Sequence, residues 1–212
     1  MGRKIFLDVG CNTGQSLEAA LDHDFDVVYC FEPVMEYCQS LQSGVLSSDV
    51  GSGIAERPYD QTRVVICPFG LWVNTERISV HSPHTMAASV FDDHQDSEGG
   101  TTECQFVKAS EWLRHHITDD DFVVMKMNCE GSECTILDHL MDSDTIHLID
   151  HIMVDFDAMK IPSQRHRPQR TIWNLNNHGV DYVFAEDVMC GATHHDRICY
   201  WLKEKVEEIN ER

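Results

Sequence analysis

Short apolar and β-branched runs alternate with longer polar stretches along this chain, a pattern typical of a parallel sheet flanked by helices. Strands are predicted at 4–8, 27–31, 63–67, 77–81, 104–108, 122–127, 151–157, 181–185 and 197–203. Helices are predicted at 15–22, 34–43, 109–116, 131–141 and 168–178. The periodicity therefore predicts an α/β protein with a doubly wound sheet, whose ligands lie outside the carboxyl ends of the strands.

Two stretches lack this periodicity. Residues 43–61 contain glycine and proline at positions that favour a loop, with room for a little helix. Residues 82–103 are polar, and long loops of this kind are more often functional than idle. Because 212 residues suffice for one α/β domain but hardly for two, we predict one domain over 1–212, with its active-site loop at 82–103.

The loop after the first predicted strand is the most informative part of the chain. It places an acid at the strand end and two glycines before a helix, in the order Asp8-Val9-Gly10-Cys11-Asn12-Thr13-Gly14. Such a turn presents backbone N–H groups to a ligand. A dinucleotide site needs Gly-x-Gly-x-x-Gly, and the acid here would repel a diphosphate. The spacing favours a cationic or hydroxyl-bearing ligand.

A second acid, Glu32, ends the strand at 27–31 and precedes Pro33. A carboxylate at this position can accept hydrogen bonds from ribose hydroxyls. Two acids and a glycine loop fit S-adenosylmethionine. Its predicted contacts at these two strand ends are Asp8, Gly10, Asn12, Thr13, Gly14, Glu32 and Pro33.

Two further strand ends carry candidate site residues. Phe69 and Gly70 follow the strand at 63–67 and could form a wall of the adenine site, although Phe69 fits the core equally well. Lys126 alternates with apolar residues in the strand at 122–127, which predicts a buried ammonium paired with an acid. Asn128 and Glu130 follow and should emerge beside the cofactor loop.

Candidate acids and bases for the acceptor lie at the next strand end. Asp155 and Asp157 alternate there, so their carboxylates could take up an acceptor proton or hold Mg²⁺, or simply be solvated. His84, His94 and His151 are weaker candidate bases. We predict Glu130, Asp155 and Lys126 as the catalytic set.

Three of these motifs together resemble the FkbM family of class I S-adenosylmethionine-dependent methyltransferases, in order from about residue 4 to about residue 157. They are Asp8-x-Gly10-x-Asn12-x-Gly14, Phe31-Glu32-Pro33 and Lys126-Met127-Asn128-Cys129-Glu130-Gly131-Ser132-Glu133. Members usually have aspartate at the position of Asn128. The family also commonly has a serine at the position of Ser89, in a region that covers its active site.

This resemblance implies a Rossmann-like fold with a mostly parallel seven-stranded sheet. The last two predicted strands, 181–185 and 197–203, would form its antiparallel C-terminal hairpin. It also implies S-adenosyl-L-methionine as cofactor and O-methylation of a hydroxyl on a sugar, a glycan or another small molecule.

Charge argues against a nucleic-acid partner. Sixteen basic and 36 acidic side chains give a net charge of −20, which repels phosphate backbones. The basic stretch at 163–170 is either a solvated loop or a grip on an anionic or sugar acceptor. No apolar run approaches the ~18 residues of a membrane span, and no signal peptide is evident. We therefore expect a cytoplasmic protein without a membrane partner.

Nine cysteines without a regular spacing favour free thiols in a reducing compartment. Cys190, His194 and His195 lack a fourth ligand and the usual zinc spacing, so no metal site is predicted.

Two alternatives remain open from the sequence. A nicotinamide-dependent oxidoreductase or epimerase would use a related sheet, but the central glycine and a Tyr-x-x-x-Lys pair are missing. Asn128 in place of aspartate also suggests an S-adenosylmethionine-binding protein without turnover.

Overall fold

A computed structural model describes residues 2–43, 62–97, 99–189 and 192–210, the last five of them as backbone only. The predicted loop at 43–61 therefore lies outside the described residues, apart from its first residue, 43. Cys190 also lies outside them.

Within these ranges the chain forms nine strands and six α-helices. The strands are β1 (Lys4–Val9), β2 (Val27–Phe31), β3 (Arg63–Cys67), β4 (Gly70–Trp72), β5 (Glu76–His81), β6 (Thr101–Lys108), β7 (Phe122–Met127), β8 (His151–Val154) and β9 (Asp181–Phe184). The helices are α1 (Gln15–Ala20), α2 (Met35–Gln42), α3 (Ala109–His116), α4 (Glu133–Asp142), α5 (Pro168–Asn177) and α6 (His194–Asn210). Short 3₁₀ turns occur at Ile146–Leu148, Asp157–Lys160 and Ala185–Asp187.

Six parallel strands form the main sheet, in the order β3-β2-β1-β7-β8-β9. This arrangement is compatible with a Rossmann-like fold. Val9, at the end of β1, is in register with Phe31 of β2 and with Met127 of β7. The strand order reverses between β1 and β7, and ligands of such sheets bind in the crevice at that reversal.

Side chains alternate across the main sheet to fill two apolar layers. Ile5, Leu7 and Val9 of β1 face a core that includes α3 and α4. Phe6 points to the other face, where residues of α1 and α6 cover it. Both faces are thus buried, which is why these parallel strands read as continuous apolar runs in the sequence.

The predicted C-terminal hairpin is wrong. Residues 197–203 belong to helix α6, and β9 pairs with β8 in parallel rather than antiparallel. Ile198, Trp201 and Leu202 are all buried, a spacing of three and four residues that lines up one face of a helix. The run is short enough to resemble a strand, but its burial follows the helical period.

Two other predictions need correction. The strand predicted at 151–157 stops at Val154, and Asp157 begins a 3₁₀ turn. A separate three-stranded sheet of order β4-β6-β5 forms beside the main one, and β4 has no counterpart among the predicted strands. At Gly70 of β4 the backbone approaches Phe106 so closely that a Cβ would lie 2.3 Å from its ring.

Of the helices in the described segments, none combines the length and the apolarity that crossing a membrane requires.

Candidate functional site

The carboxyl ends of β1, β2, β7 and β8 border a cleft of about 440 Å³, and residues of the second sheet also line it. This volume is within the range of small-molecule sites. Predicted site residues that line the cleft are Gly10, Asn12, Thr13, Glu32, Pro33, Gly70, Lys126, Asn128, Glu130 and Asp155.

Three predicted residues lie outside the cleft lining. Asp8 is completely buried. Gly14 has a φ of +90° and precedes α1 as its N-cap. Phe69 packs against the main core, with its ring centre 6.0 Å from that of Phe31. Phe69 is thus a core residue, and of the two residues predicted at this strand end only Gly70 lines the cleft.

The loop between β1 and α1 is held between two neighbouring strand ends. The N–H groups of Gly10 and Cys11 both donate to the carbonyl of Phe31, at 3.1 and 3.2 Å. Gly10 has a φ of +81°, and a Cβ at this position would lie 1.9 Å from the carbonyl oxygen of Asn128. Only glycine fits such a conformation and such an approach.

Glu32 ties this loop to the end of β2. Its Oε2 accepts a hydrogen bond from the N–H of Asn12 at 3.0 Å, and its Oε1 accepts one from the N–H of Val34 at 2.8 Å. Burial raises the pKa of Glu32 to about 7, although the two N–H groups oppose the rise. A carboxylate has about four acceptor positions, so it can still bind a ligand.

The predicted buried ammonium is confirmed. Lys126 Nζ lies 3.1 Å from Asp8 Oδ1 and 2.9 Å from the carbonyl oxygen of Gly10. Burial lowers the pKa of Lys126, but the Asp8 carboxylate and, after it, Cys129 and Cys11 raise it, so the pKa lies above its ordinary value. Burial raises the pKa of Asp8, and the ammonium counters that rise. Through the bond to Gly10, the charged pair stabilises the loop between β1 and α1.

Among the described acids, histidines and cysteines, one group brings three ligand atoms within 4.8 Å of one another: Asp8, Cys11 and Cys30. Asp8 is already paired with Lys126. Burial raises the pKa of the Cys11 thiol well above its ordinary value, whereas metals bind thiolates. We therefore assign no metal to this group.

The far end of the cleft is acidic. Glu130, Asp155 and Asp157 line it together with Lys160. The Lys160 ammonium lies 2.8 Å from Asp157 Oδ1 and 3.6 Å from Glu130 Oε2. Burial, and then the charge of Asp157, raises the pKa of Glu130 to about 7. The sequence prediction omitted Lys160 because residues 151–157 read as one strand. In the structure a 3₁₀ turn spans Asp157–Lys160, and residues three apart lie on the same side of such a turn.

His94 contacts this acidic end from the predicted active-site loop. Its buried Nε2 lies 3.3 Å from Glu130 Oε2, without the alignment of a hydrogen bond. The N–H of Asp96 donates to Nδ1 of His94, which assigns the ring proton to Nε2. The other two candidate bases lie elsewhere: His84 pairs with Glu36 on the surface, and His151 pairs with Asp181.

Residues 82–97 pack over the cleft. The Ser89 hydroxyl donates to the carbonyl of Glu130 at 2.7 Å, and the N–H of Gln95 donates to the carbonyl of Lys160 at 3.0 Å. Cleft-lining residues of this segment are Met86, Ala88 and Val90. The last three residues of the predicted loop, 101–103, belong to β6.

Glu133, at the start of α4, supports the backbone of the site. Its Oε1 accepts hydrogen bonds from the N–H groups of Cys129 and Gly131, at 2.7 and 3.2 Å. Its Oε2 is buried without a hydrogen-bond partner among the described residues. Burial, and then the charge of Asp157, raises the pKa of Glu133 to about 8.

Glu133→Gln is expected to stabilise the protein at pH 8 by roughly 1–3 kcal/mol, because the neutral amide replaces a buried carboxyl group that is ionised or close to it. The folded protein keeps Glu133 protonated at pH values where the unfolded chain has released that proton. The wild-type stability therefore falls between about pH 4.5 and pH 8, and the variant should lack this part of the fall. Urea unfolding from pH 5 to pH 9 measures the difference in unfolding free energy between the variant and the wild type. A difference that stays constant over this range would contradict the raised pKa of Glu133.

Comparison with known families matches part of the chain. Residues 84–179 are similar to a domain of unknown function, DUF7870. The matched part includes the acidic end of the cleft but neither the β1–α1 loop nor Glu32. No curated protein and no solved structure matches the chain.

Proposed function

We propose that this protein is an S-adenosylmethionine-dependent methyltransferase that methylates a hydroxyl group on a sugar, a glycan or another small molecule. One observation carries the proposal. The glycine loop after β1 and the acid at the end of β2 meet at the same cleft, where Glu32 is bonded to the backbone of Asn12. This is where a nucleoside cofactor binds in sheets of this type.

The chain's own residues fit such a cofactor in three parts. Backbone groups of the Gly10–Gly14 loop contact the methionine part, since the Asp8 carboxylate is buried and engaged with Lys126. Glu32 accepts hydrogen bonds from the ribose. The adenine lies against the apolar wall, which includes Val34, Leu71, Val80 and Phe106.

When bound, the cofactor supplies an electrophilic methyl group. The protein then has to align the acceptor oxygen and remove one proton from it. Glu130 is suited to take that proton, because a base is most effective when its pKa lies near the working pH and burial raises its pKa to about 7. Lys160 is paired with the Glu130 carboxylate, and His94 contacts it.

Replacing Glu32 with alanine tests the cofactor site. The change removes hydrogen bonds to the ribose and releases the N–H of Asn12, so S-adenosylhomocysteine should bind about a hundredfold more weakly. Isothermal titration calorimetry measures this affinity. Glu36→Ala is the matched control, because Glu36 lies close by in α2 with an exposed side chain and should bind like wild type. Unchanged affinity in Glu32→Ala would remove the ribose role.

A nicotinamide-dependent enzyme is the second candidate, because the order β3-β2-β1-β7-β8-β9 corresponds to that of dinucleotide-binding folds. The charge of the cleft argues against it. Four carboxylates line the cleft, and its two lysines are each paired with an acid, an arrangement that disfavours a diphosphate. Thermal-shift titration separates the two candidates. Stabilisation by NAD but not by S-adenosylmethionine or S-adenosylhomocysteine would exclude the methyltransferase.

A protein that binds the cofactor without turnover is the third candidate. Asn128 lines the cleft at the position where an acid is usual in the FkbM family. Incubation with labelled S-adenosylmethionine and candidate glycans distinguishes this case, because cofactor would be retained with no label transferred.

A further inference from the structure

Three carboxylates form what we call the acidic wall of the cleft: Glu130, Asp155 and Asp157. Among the described residues, one ammonium, that of Lys160, is paired with this wall. Lys126 also lines the cleft, but its ammonium is bound to Asp8. His194 lines it as well, and burial lowers the pKa of its ring to about 4, so the ring is neutral.

Part of the acidic wall has no partner. Asp157 is 7% exposed, and its Oδ2 is buried without a hydrogen-bond partner among the described residues. The Asp155 carboxyl group makes no hydrogen bond or ion pair with any residue that the structure describes, and it lines the cleft. Asp155 is half-buried, so its carboxylate loses part of its hydration without gaining a partner, and a cationic ligand that pairs with it would be stabilised.

The cofactor does not supply all of the missing positive charge. Its sulfonium adds one positive charge, while the acidic wall has three carboxylates against the single Lys160 ammonium. Because Lys160 is paired with Glu130 and Asp157, Asp155 is the acid of this wall that is left for the acceptor to pair with. The position of Lys160 Nζ, 2.8 Å from Asp157 Oδ1, shows that an ammonium fits against these carboxylates.

We propose that the acceptor carries an ammonium group beside the hydroxyl that is methylated, as aminosugars do, and that this ammonium binds the Asp155 carboxylate next to Asp157. This inference rests on the proposed methyltransferase function. Glu130 then faces the neighbouring hydroxyl as its base.

A divalent metal fits this wall less well than an ammonium. The acidic wall is not among the groups of described residues whose three ligand atoms lie within 4.8 Å of one another. Its carboxylates would therefore have to move to share an ion. The Lys160 ammonium also lies between Glu130 and Asp157, where a metal would be repelled. The overall charge of −20 favours the approach of a cationic acceptor.

Calorimetry with matched sugars tests the inference. The protein is first saturated with S-adenosylhomocysteine, and D-glucosamine, D-glucose, D-galactosamine and D-galactose are then titrated at pH 7 and low salt. At least one amine should bind tenfold or more tightly than its neutral partner, because a charge-assisted hydrogen bond contributes about this much. Asp155→Asn should reduce that preference. Asp144→Asn, at a side chain that is 96% exposed, is the control and should keep it.

Each other outcome has a definite meaning. If wild-type protein binds S-adenosylhomocysteine but no amine more tightly than its neutral partner, the acceptor inference is overturned and the methyltransferase proposal stands. If Mg²⁺ binds stoichiometrically and Asp155→Asn abolishes that binding, the acidic wall is a metal site and the inference is overturned. If S-adenosylhomocysteine does not bind at all, both proposals fall. Because the comparison of amine with neutral sugar uses the wild-type protein, it holds even if a variant fails to fold.

Discussion

Lys126→Met is expected to lower the free energy of unfolding by about 3–5 kcal/mol, since it leaves the Asp8 carboxylate buried with no counter-charge. Asp8 is completely buried and Lys126 is 4% exposed, so water cannot replace the lost partner. The variant also loses the bond to the carbonyl of Gly10, which should loosen the cofactor loop. Urea denaturation followed by circular dichroism measures the loss.

Two further variants separate the charge effect from packing. Asp8→Leu combined with Lys126→Met removes both charges and should recover much of the lost stability, because apolar residues of similar volume often replace buried pairs at little cost. Lys108→Met breaks the exposed pair with Glu111 and should change stability by less than about 1 kcal/mol. A loss below that level for Lys126→Met itself would show that Asp8 does not need its partner.

Gly10→Ala is the second change with a large expected effect. The added Cβ would lie 1.9 Å from the carbonyl oxygen of Asn128, a backbone atom that cannot move without displacing the end of β7. The residue would also keep a φ of +81°, which disfavours any side chain. We expect a loss of stability of about 2–5 kcal/mol and no measurable binding of S-adenosylhomocysteine.

Gly179→Ala is the control for backbone strain without a clash. Gly179 has a φ of +67°, and its added Cβ would meet nothing within 4 Å. This variant should lose only about 1 kcal/mol and bind S-adenosylhomocysteine normally. Equal losses of stability in Gly10→Ala and Gly179→Ala would mean that the close approach of Gly10 to Asn128 does not contribute to stability.

Most strands of the main sheet could be predicted because a strand that is buried on both faces has a continuous apolar sequence. β2 lies where its apolar run predicts, as do β3 and β7, and β1 is only one residue longer. The strand-end acids followed from these runs, since a residue just past a buried strand emerges at the edge of the sheet. Glu32 and Glu130 therefore line the cleft as expected.

The C-terminal region shows where this reasoning fails. A short apolar run such as 197–203 fits both a strand and one face of a helix, and the family resemblance favoured the strand. In the structure, Ile198, Trp201 and Leu202 cover the sheet face behind Phe6. Packing against that face, rather than local propensity, decides the helix.

Local sequence patterns suffice to predict the buried parallel strands and the polar residues at their ends, because burial and the strand period act on neighbouring positions. The tertiary structure sets the strand order, the helical C-terminus, and the contact of His94 with Glu130 across 36 positions of the chain. It also decided that Asp8 pairs with Lys126 while Asp155 and part of Asp157 stay unpaired. These contacts depend on how distant segments pack, and no local pattern records which charges will meet.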